Sequence, residues 1–271
     1  TMVALLTTGW IIERHGWPAI FYLFGAIGLV WAIFWFLRIY EQPSDHPRVS
    51  KDELQLLPPE QNTAQTSDTV PWGMLFTRKP VWALIINHFC INWTSYMLLA
   101  WLPSYFRHVH DLSITSSGIF SAAPWLTMFI MMNAAGWFAD RLIKKGMSTS
   151  TVRKLMQTSG LLGAAAFLWL ANDVSSATQA MLCMCGALGL LACAYAGFAV
   201  NTLEIAPNHS GILAGITNTA GTIPGIVGVS ITGWLVDVTG TYTSAFVLAA
   251  ALCVFGAAVW LMFATSRPVI T

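Results

Sequence analysis

The chain has 271 residues, 56% of them hydrophobic and only 9% charged, with a formal net charge of +1 and a mean hydropathy of +0.63. Soluble domains carry about 25% charged residues, so the composition excludes a soluble domain with a single anchor and describes a chain that is membrane-embedded throughout. A charge of +1 gives no reason to expect a nucleic-acid partner. Cys90, Cys183, Cys185, Cys193 and Cys253 all lie in apolar segments without the spaced Cys/His company of a zinc site. They read as small buried side chains, with no metal, cofactor or disulfide framework implied.

About 20 consecutive apolar residues cross a bilayer. Such stretches predict a half span at 1–13 and full spans near 18–39, 80–105, 115–139, 152–171, 177–201, 211–236 and 242–265. The first residues lack the basic start of a signal peptide, and their apolar run stops at Glu13-Arg14-His15-Gly16. Thr1 is therefore expected to fall inside a helix of a longer chain. The one long polar stretch, 41–79, contains Pro43, Pro47, Pro58 and Pro59 and reads as a flexible linker between two helical bundles. The expected organisation is 1–40 as the last two helices of an N-terminal bundle, 41–79 as a cytoplasmic linker, and 80–271 as a six-helix bundle. With the linker inside, eleven of the 13 Lys and Arg residues are inside and only Arg14 and Arg107 outside, in accord with the positive-inside rule.

Two motifs stand out along the chain. Gly9-Trp-Ile-Ile-Glu13-Arg-His-Gly16 has the same form as Gly233-Trp-Leu-Val-Asp237-Val-Thr-Gly240: glycine, tryptophan, two aliphatics, an acid, two residues, glycine. Both copies end one span and precede the next. If the spans correspond, four helices precede Thr1, and the whole is two six-helix halves, a parallel-repeat carrier plan. Gly136-Trp-Phe-Ala-Asp140-Arg141-Leu-Ile-Lys144-Lys145-Gly146 occupies a short inside loop. There Asp140 is expected to pair with a neighbouring arginine and lock one state of a two-state carrier, with Gly136 and Arg141 part of the same gating loop. Plain positive-inside anchoring is the simpler account of the basic residues.

Polar side chains within spans face a cavity or another helix. His88, Asn92 and Tyr96 recur every four residues and form one polar face. Asn92 and Tyr96 are candidate solute ligands, and His88 a candidate proton-linked group. In 177–201, Tyr195 is a deeper cavity candidate, while Asn201 and Glu204 share a stripe with Gly197 near the inside end. Asn201 is a candidate ligand, and Glu204 is either proton-linked or an interfacial acid. The glycine-rich stretch Gly211–Gly228 places Gly211, Gly215, Asn218, Thr222 and Gly225 on one stripe, expected to be a helix-packing face with Asn218 as its polar hook. Asn218 and Thr219, at mid-span, are candidate ligands too. Pro224 frees the carbonyl of Ala220 and is expected to bend the helix, with Gly215 permitting close packing. No span is expected to hold a buried arginine or a mid-membrane acid. No nucleophile elbow, HExxH, P-loop or paired mid-span carboxylates occur, and an enzyme is not expected.

The motifs NHFCINWTSYMLLAWLPSYF, GWFADRLIKKG, STSTVRKLMQ, NTLEIAP and GILAGITNTAGTIPGIVG together resemble the anion:cation symporter family of the major facilitator superfamily. This family includes sialin, vesicular glutamate transporters, plastid phosphate transporters and bacterial sugar-acid transporters. The resemblance runs from about Gly9 to Ala264, with a poor match across the linker. It implies an all-α multi-pass helical bundle, with about eight of twelve membrane helices present and the first four absent. It also implies a carrier for a small organic or inorganic anion coupled to H⁺ or Na⁺, working in the lipid bilayer by alternating access. Asn92, Tyr96, Asn201 and Asn218 match family positions. Ile91 stands where vesicular glutamate transporters have arginine, which argues against glutamate-type recognition, and Thr202 replaces a histidine found in many relatives. Short loops point to a bacterial inner membrane. The rival expectation is a non-transporting membrane sensor or partner subunit on the same fold.

Overall fold

The computed structural model describes residues 2–40, 42–50, 53–54 and 72–270. Most of the expected linker, including Pro58 and Pro59, lies outside the described residues. The helices are α1 (Met2–His15), α2 (Pro18–Arg38), α3 (Trp72–Thr77), α4 (Lys79–Val109), α5 (Ile114–Lys144), α6 (Thr149–Leu170), α7 (Ala177–Phe198), α8 (Asn201–Ile205), α9 (Ser210–Thr239) and α10 (Thr243–Phe263). The chain forms two compact units, Thr1–Gly9 with Pro71–Thr271, and Trp10–Val70, so the division falls within α1.

Among the described residues, six helices are long and apolar enough to cross a membrane. The protein is a multi-pass, all-helical membrane protein. At 14 residues α1 is too short to be counted. Helix α6 is long enough at 22 residues but carries Arg153, Lys154 and Gln157 in its first half. Local signals set the helix starts. Ser113, Ser148 and Ser176 are N-caps whose side chains accept from the backbone N–H of Ser116, Thr151 and Gln179, satisfying donors a helix start leaves free. Pro103, Pro124 and Pro224 lie inside continuous helices, as membrane helices tolerate when neighbours re-satisfy the backbone. Helix α3 lies within the stretch expected to be linker, and its Leu75 is fully buried.

The two copies of the repeat have one conformation. Gly16 and Gly240 both adopt left-handed backbone, φ +75° and +69°. Their N–H groups donate to the carbonyls of Ile12 (3.0 Å) and Val236 (2.9 Å), which are equivalent positions in the repeat. Glycine ends each helix because a β-carbon is unfavourable in that conformation.

In the larger unit α4 packs on α9, α10 and α5, α7 on α5 and α6, and α6 on α10. Small residues bring α6 and α7 together: a Cβ on Gly160 would lie 2.7 Å from the Ala194 nitrogen, and one on Gly197 2.9 Å from the Arg153 carbonyl. Inside this bundle the fully buried Gln157 amide donates to Asn87 Oδ1 at 2.8 Å, tying α6 to α4. Neither residue stood out in the sequence.

Candidate solute-facing site

Helices α4, α7 and α9 bring several of the expected residues together. The Asn92 side-chain amide donates to the Gly221 carbonyl at 2.7 Å, across the α4–α9 contact. The His88 ring lies against Gly221, where a Cβ would come within 2.5 Å of the imidazole, and 4.9 Å from the Phe198 ring of α7. Tyr96 lies opposite Gly225, and the Tyr195 ring lies 5.6 Å from the Phe198 ring, tilted by 57°. His88, Asn92, Tyr96 and Tyr195 therefore share one wall. The His88 Nδ1 has no hydrogen-bond partner among the described residues. Ile91 is fully buried.

The packing face of α9 differs from the one expected. Its buried positions are Leu213, Thr217, Gly221, Pro224, Gly228 and Thr232, a stripe rotated from the predicted one. A Cβ on Gly211 or Gly215 would meet nothing within 4 Å, and Asn218 and Thr219 are exposed. The polar hook between α4 and α9 is Asn92, not Asn218. The cause is the partner helix: α4 presents large side chains, His88, Trp93, Tyr96 and Trp101, and only glycines opposite them leave room. Asn92 engages Gly221, the carbonyl next to that of Ala220, which Pro224 leaves without its helical donor.

Asn201 and Glu204 lie elsewhere. Helix α7 ends at Phe198, and after a turn the separate helix α8 carries both residues. Arg153 donates to Glu204 Oε1 through Nε and its second guanidinium nitrogen, both at 2.8 Å, and to the Ala196 carbonyl at 2.8 Å. The Asn201 amide donates to Glu204 Oε2, the Thr265 carbonyl and Ser266 Oγ. The backbone N–H groups of Val269 and Ile270 both reach the Ile205 carbonyl. Asn201 thus anchors the segment after α10 rather than lining the α4–α9 wall. The expectation that no span holds a buried arginine is corrected: Arg153 is 8% exposed, though it lies in the first turns of α6.

The stretch expected as a short gating loop is helical through Lys144, the end of α5; in it Asp140 and Arg141 are exposed, and Arg141 lies over the Trp137 ring at 5.2 Å. Arg153 pairs with Glu204, while Asp140 makes no ion pair among the described residues. At the opposite end of the bundle, His110 Nε2 meets the Tyr105 hydroxyl at 3.3 Å. Burial pushes the His110 pKa down, partly offset by nearby Asp111.

The Major Facilitator Superfamily profile matches residues 1–229. The chain is 37% identical over 260 residues to "Probable anion transporter 1, chloroplastic" of Oryza sativa subsp. japonica, covering 96% of this chain and 49% of that protein. It is 36% identical over 270 residues to "Sodium-dependent phosphate transport protein 1, chloroplastic" of Arabidopsis thaliana, covering 100% and 52%. With human sialin it shares 35% identity over 271 residues, covering 97% and 54%. The chain spans about half the length of these curated relatives. They are plastid and animal proteins, and they lend no support to the bacterial inner membrane expected from loop length. By the profile over most of its length, and with relatives of the anion:cation symporter group, the chain belongs to the Major Facilitator Superfamily.

Proposed function

We propose that this chain forms one wall of a secondary active carrier for a small anion, an inorganic phosphate or an organic carboxylate, moved by alternating access with H⁺ or Na⁺. The observation that carries the reading is the open face of α9. Asn218 and Thr219 are exposed in the first third of a 30-residue membrane helix whose opposite face is packed. Uncharged polar groups at that depth belong to a water-filled path or a partner surface. The names of the relatives, anion, phosphate and sialin carriers, support an anionic solute over an enzyme substrate.

In this reading Asn218 and Thr219 hydrogen-bond solute oxygens, with Tyr96 and Tyr195 on the adjoining wall. The Asn92 amide is engaged by Gly221, so Asn92 fixes the wall instead of contacting solute first. His88, with a free ring nitrogen beside α9, is the group we assign to proton linkage. Glu204, held by Arg153 and Asn201, is an anchor. Asp140, exposed near the end of α5, is the residue we assign to stabilising the outward-open state. Residues 1–40 and 80–271 belong to two halves joined by 41–79.

The test is uptake by the full protein in proteoliposomes, offered labelled phosphate, a sugar acid and sialic acid, with and without proton or sodium gradients. Gradient-driven uptake of one anion, abolished by Asn218→Leu at unchanged expression, supports the reading. Normal uptake by that variant removes Asn218 from the solute path. No uptake of any anion by folded protein favours a sensor or partner subunit.

A further inference from the structure

We propose that a cavity at the end of the bundle away from Arg153 binds one small uncharged polyol, a single sugar ring in size. Helices α4, α6 and α9 end at this cavity and α10 begins there. It has a volume of about 240 Å³ and is lined by Tyr105, Gly240, Thr241, Tyr242, Thr243 and Phe246 among others. That is room for about eight waters at about 30 Å³ each, and it falls below the range of about 300–1,000 Å³ usual for larger ligands.

Tyr242 is the residue that points to a ligand. It is 7% exposed, and its ring packs 5.3 Å from Tyr105, 6.4 Å from Phe246 and 6.4 Å from Trp101. Tyr105 is itself held by His110 Nε2, 3.3 Å from its hydroxyl. The Tyr242 hydroxyl makes no hydrogen bond with any described residue, yet unlike the indole nitrogens of Trp93 and Trp260 it is not sealed from solvent. A buried tyrosine hydroxyl normally has a partner. Here three rings fix its position, and the partner comes from the cavity.

The lining chooses the class of ligand. No charged side chain borders the cavity. Asp111, Asp173 and Asp237 are exposed on the flanking turns, and none of them lines it. Helix α10 starts without a side-chain cap, so its first N–H groups lack helical acceptors, while the ends of α4 and α6 bring the opposite pole to the same space. The hydroxyls of Thr241, Tyr242 and Thr243 each donate or accept. A neutral ligand rich in hydroxyls answers both kinds of group, and its C–H face lies on the tyrosine and phenylalanine rings. The site is separate from the open face of α9: Asn218 lies about 30 Å from Thr239 along that helix at 1.5 Å per residue.

The experiment titrates glucose onto the full protein in detergent and reads binding by saturation-transfer NMR. The wild type binds glucose saturably, and neither sodium acetate nor tetramethylammonium chloride displaces it. Tyr242→Phe removes the hydroxyl and keeps the ring, and weakens binding about fivefold, the loss of one hydrogen bond of about 1 kcal/mol. Thr241→Trp, at an exposed position, fills the cavity and abolishes binding. Asn218→Leu leaves binding unchanged. The proposal is overturned if glucose does not bind saturably, if either cavity variant binds it as the wild type does, or if acetate or tetramethylammonium displaces it. Loss of binding in Asn218→Leu also overturns it, because the sugar would then sit in the carrier path. No arm measures transport, so the carrier reading stands or falls separately.

Discussion

The Asn92 amide donates to the Gly221 carbonyl at 2.7 Å, joining residues 129 positions apart and fixing the α4–α9 contact. An interhelical hydrogen bond in a bilayer contributes about 0.6–2 kcal/mol. Asn92→Leu should lower the melting temperature in detergent only slightly yet slow uptake, because the wall would lose its register. A melting shift as large as that of a core truncation would make Asn92 a fold determinant rather than a positioning residue.

Gly221 has no room for a side chain: a Cβ would lie 2.5 Å from the His88 ring. Gly221→Ala should destabilise by about 1–3 kcal/mol, the usual range for overpacking. Gly215→Ala, where a Cβ meets nothing within 4 Å, should be neutral or raise stability by up to about 1 kcal/mol through helix propensity. Parallel melting curves decide this. Equal effects would place the α4–α9 contact on the other face of α9.

The Arg153–Glu204 pair is mostly buried, its side chains 10% and 16% exposed. Removing one partner leaves a buried charge, so Glu204→Leu should cost about 3 kcal/mol, and Arg153→Met should recover part of that in the double variant. A double-mutant cycle measured by thermal unfolding tests the coupling. Strict additivity would show that the two residues act independently.

His110 gives a pH dependence with a fixed sign. Burial holds its folded pKa below the ordinary value, so the unfolded state binds the proton more readily. Stability is then complete above the unfolded value of about 6.5 and falls as pH drops through it. Thermal stability measured from neutral to mildly acid pH should decline, and His110→Gln should flatten the decline. A variant as acid-sensitive as the wild type would assign the titration to another group.

How much of this was legible in the sequence follows from the physics of each feature. Hydropathy located the helices within a few residues, because twenty apolar residues in a bilayer admit little besides a helix. The repeat predicted equivalent helix ends, and Gly16 and Gly240 share their left-handed backbone because only a few residues tolerate it. His88, Asn92 and Tyr96 were legible as one face because a four-residue spacing stays on one face of any helix.

Only the tertiary structure decided which face of α9 packs. In a helix where glycine, threonine and asparagine occur on every side, periodicity has no contrast to report. The large side chains of α4 selected Gly221, Gly225 and Gly228, and left Asn218 open. The structure alone also turned Asn201 and Glu204 into an anchor for the segment after α10, since their partners Arg153, Thr265 and Ser266 lie between 51 and 65 positions away in sequence. The sequence by itself determined a multi-pass helical membrane protein and its polar faces, which depend on local composition. Which polar groups bind one another and which remain open was decided by side-chain volume across helix contacts, a property no single stretch of the chain contains.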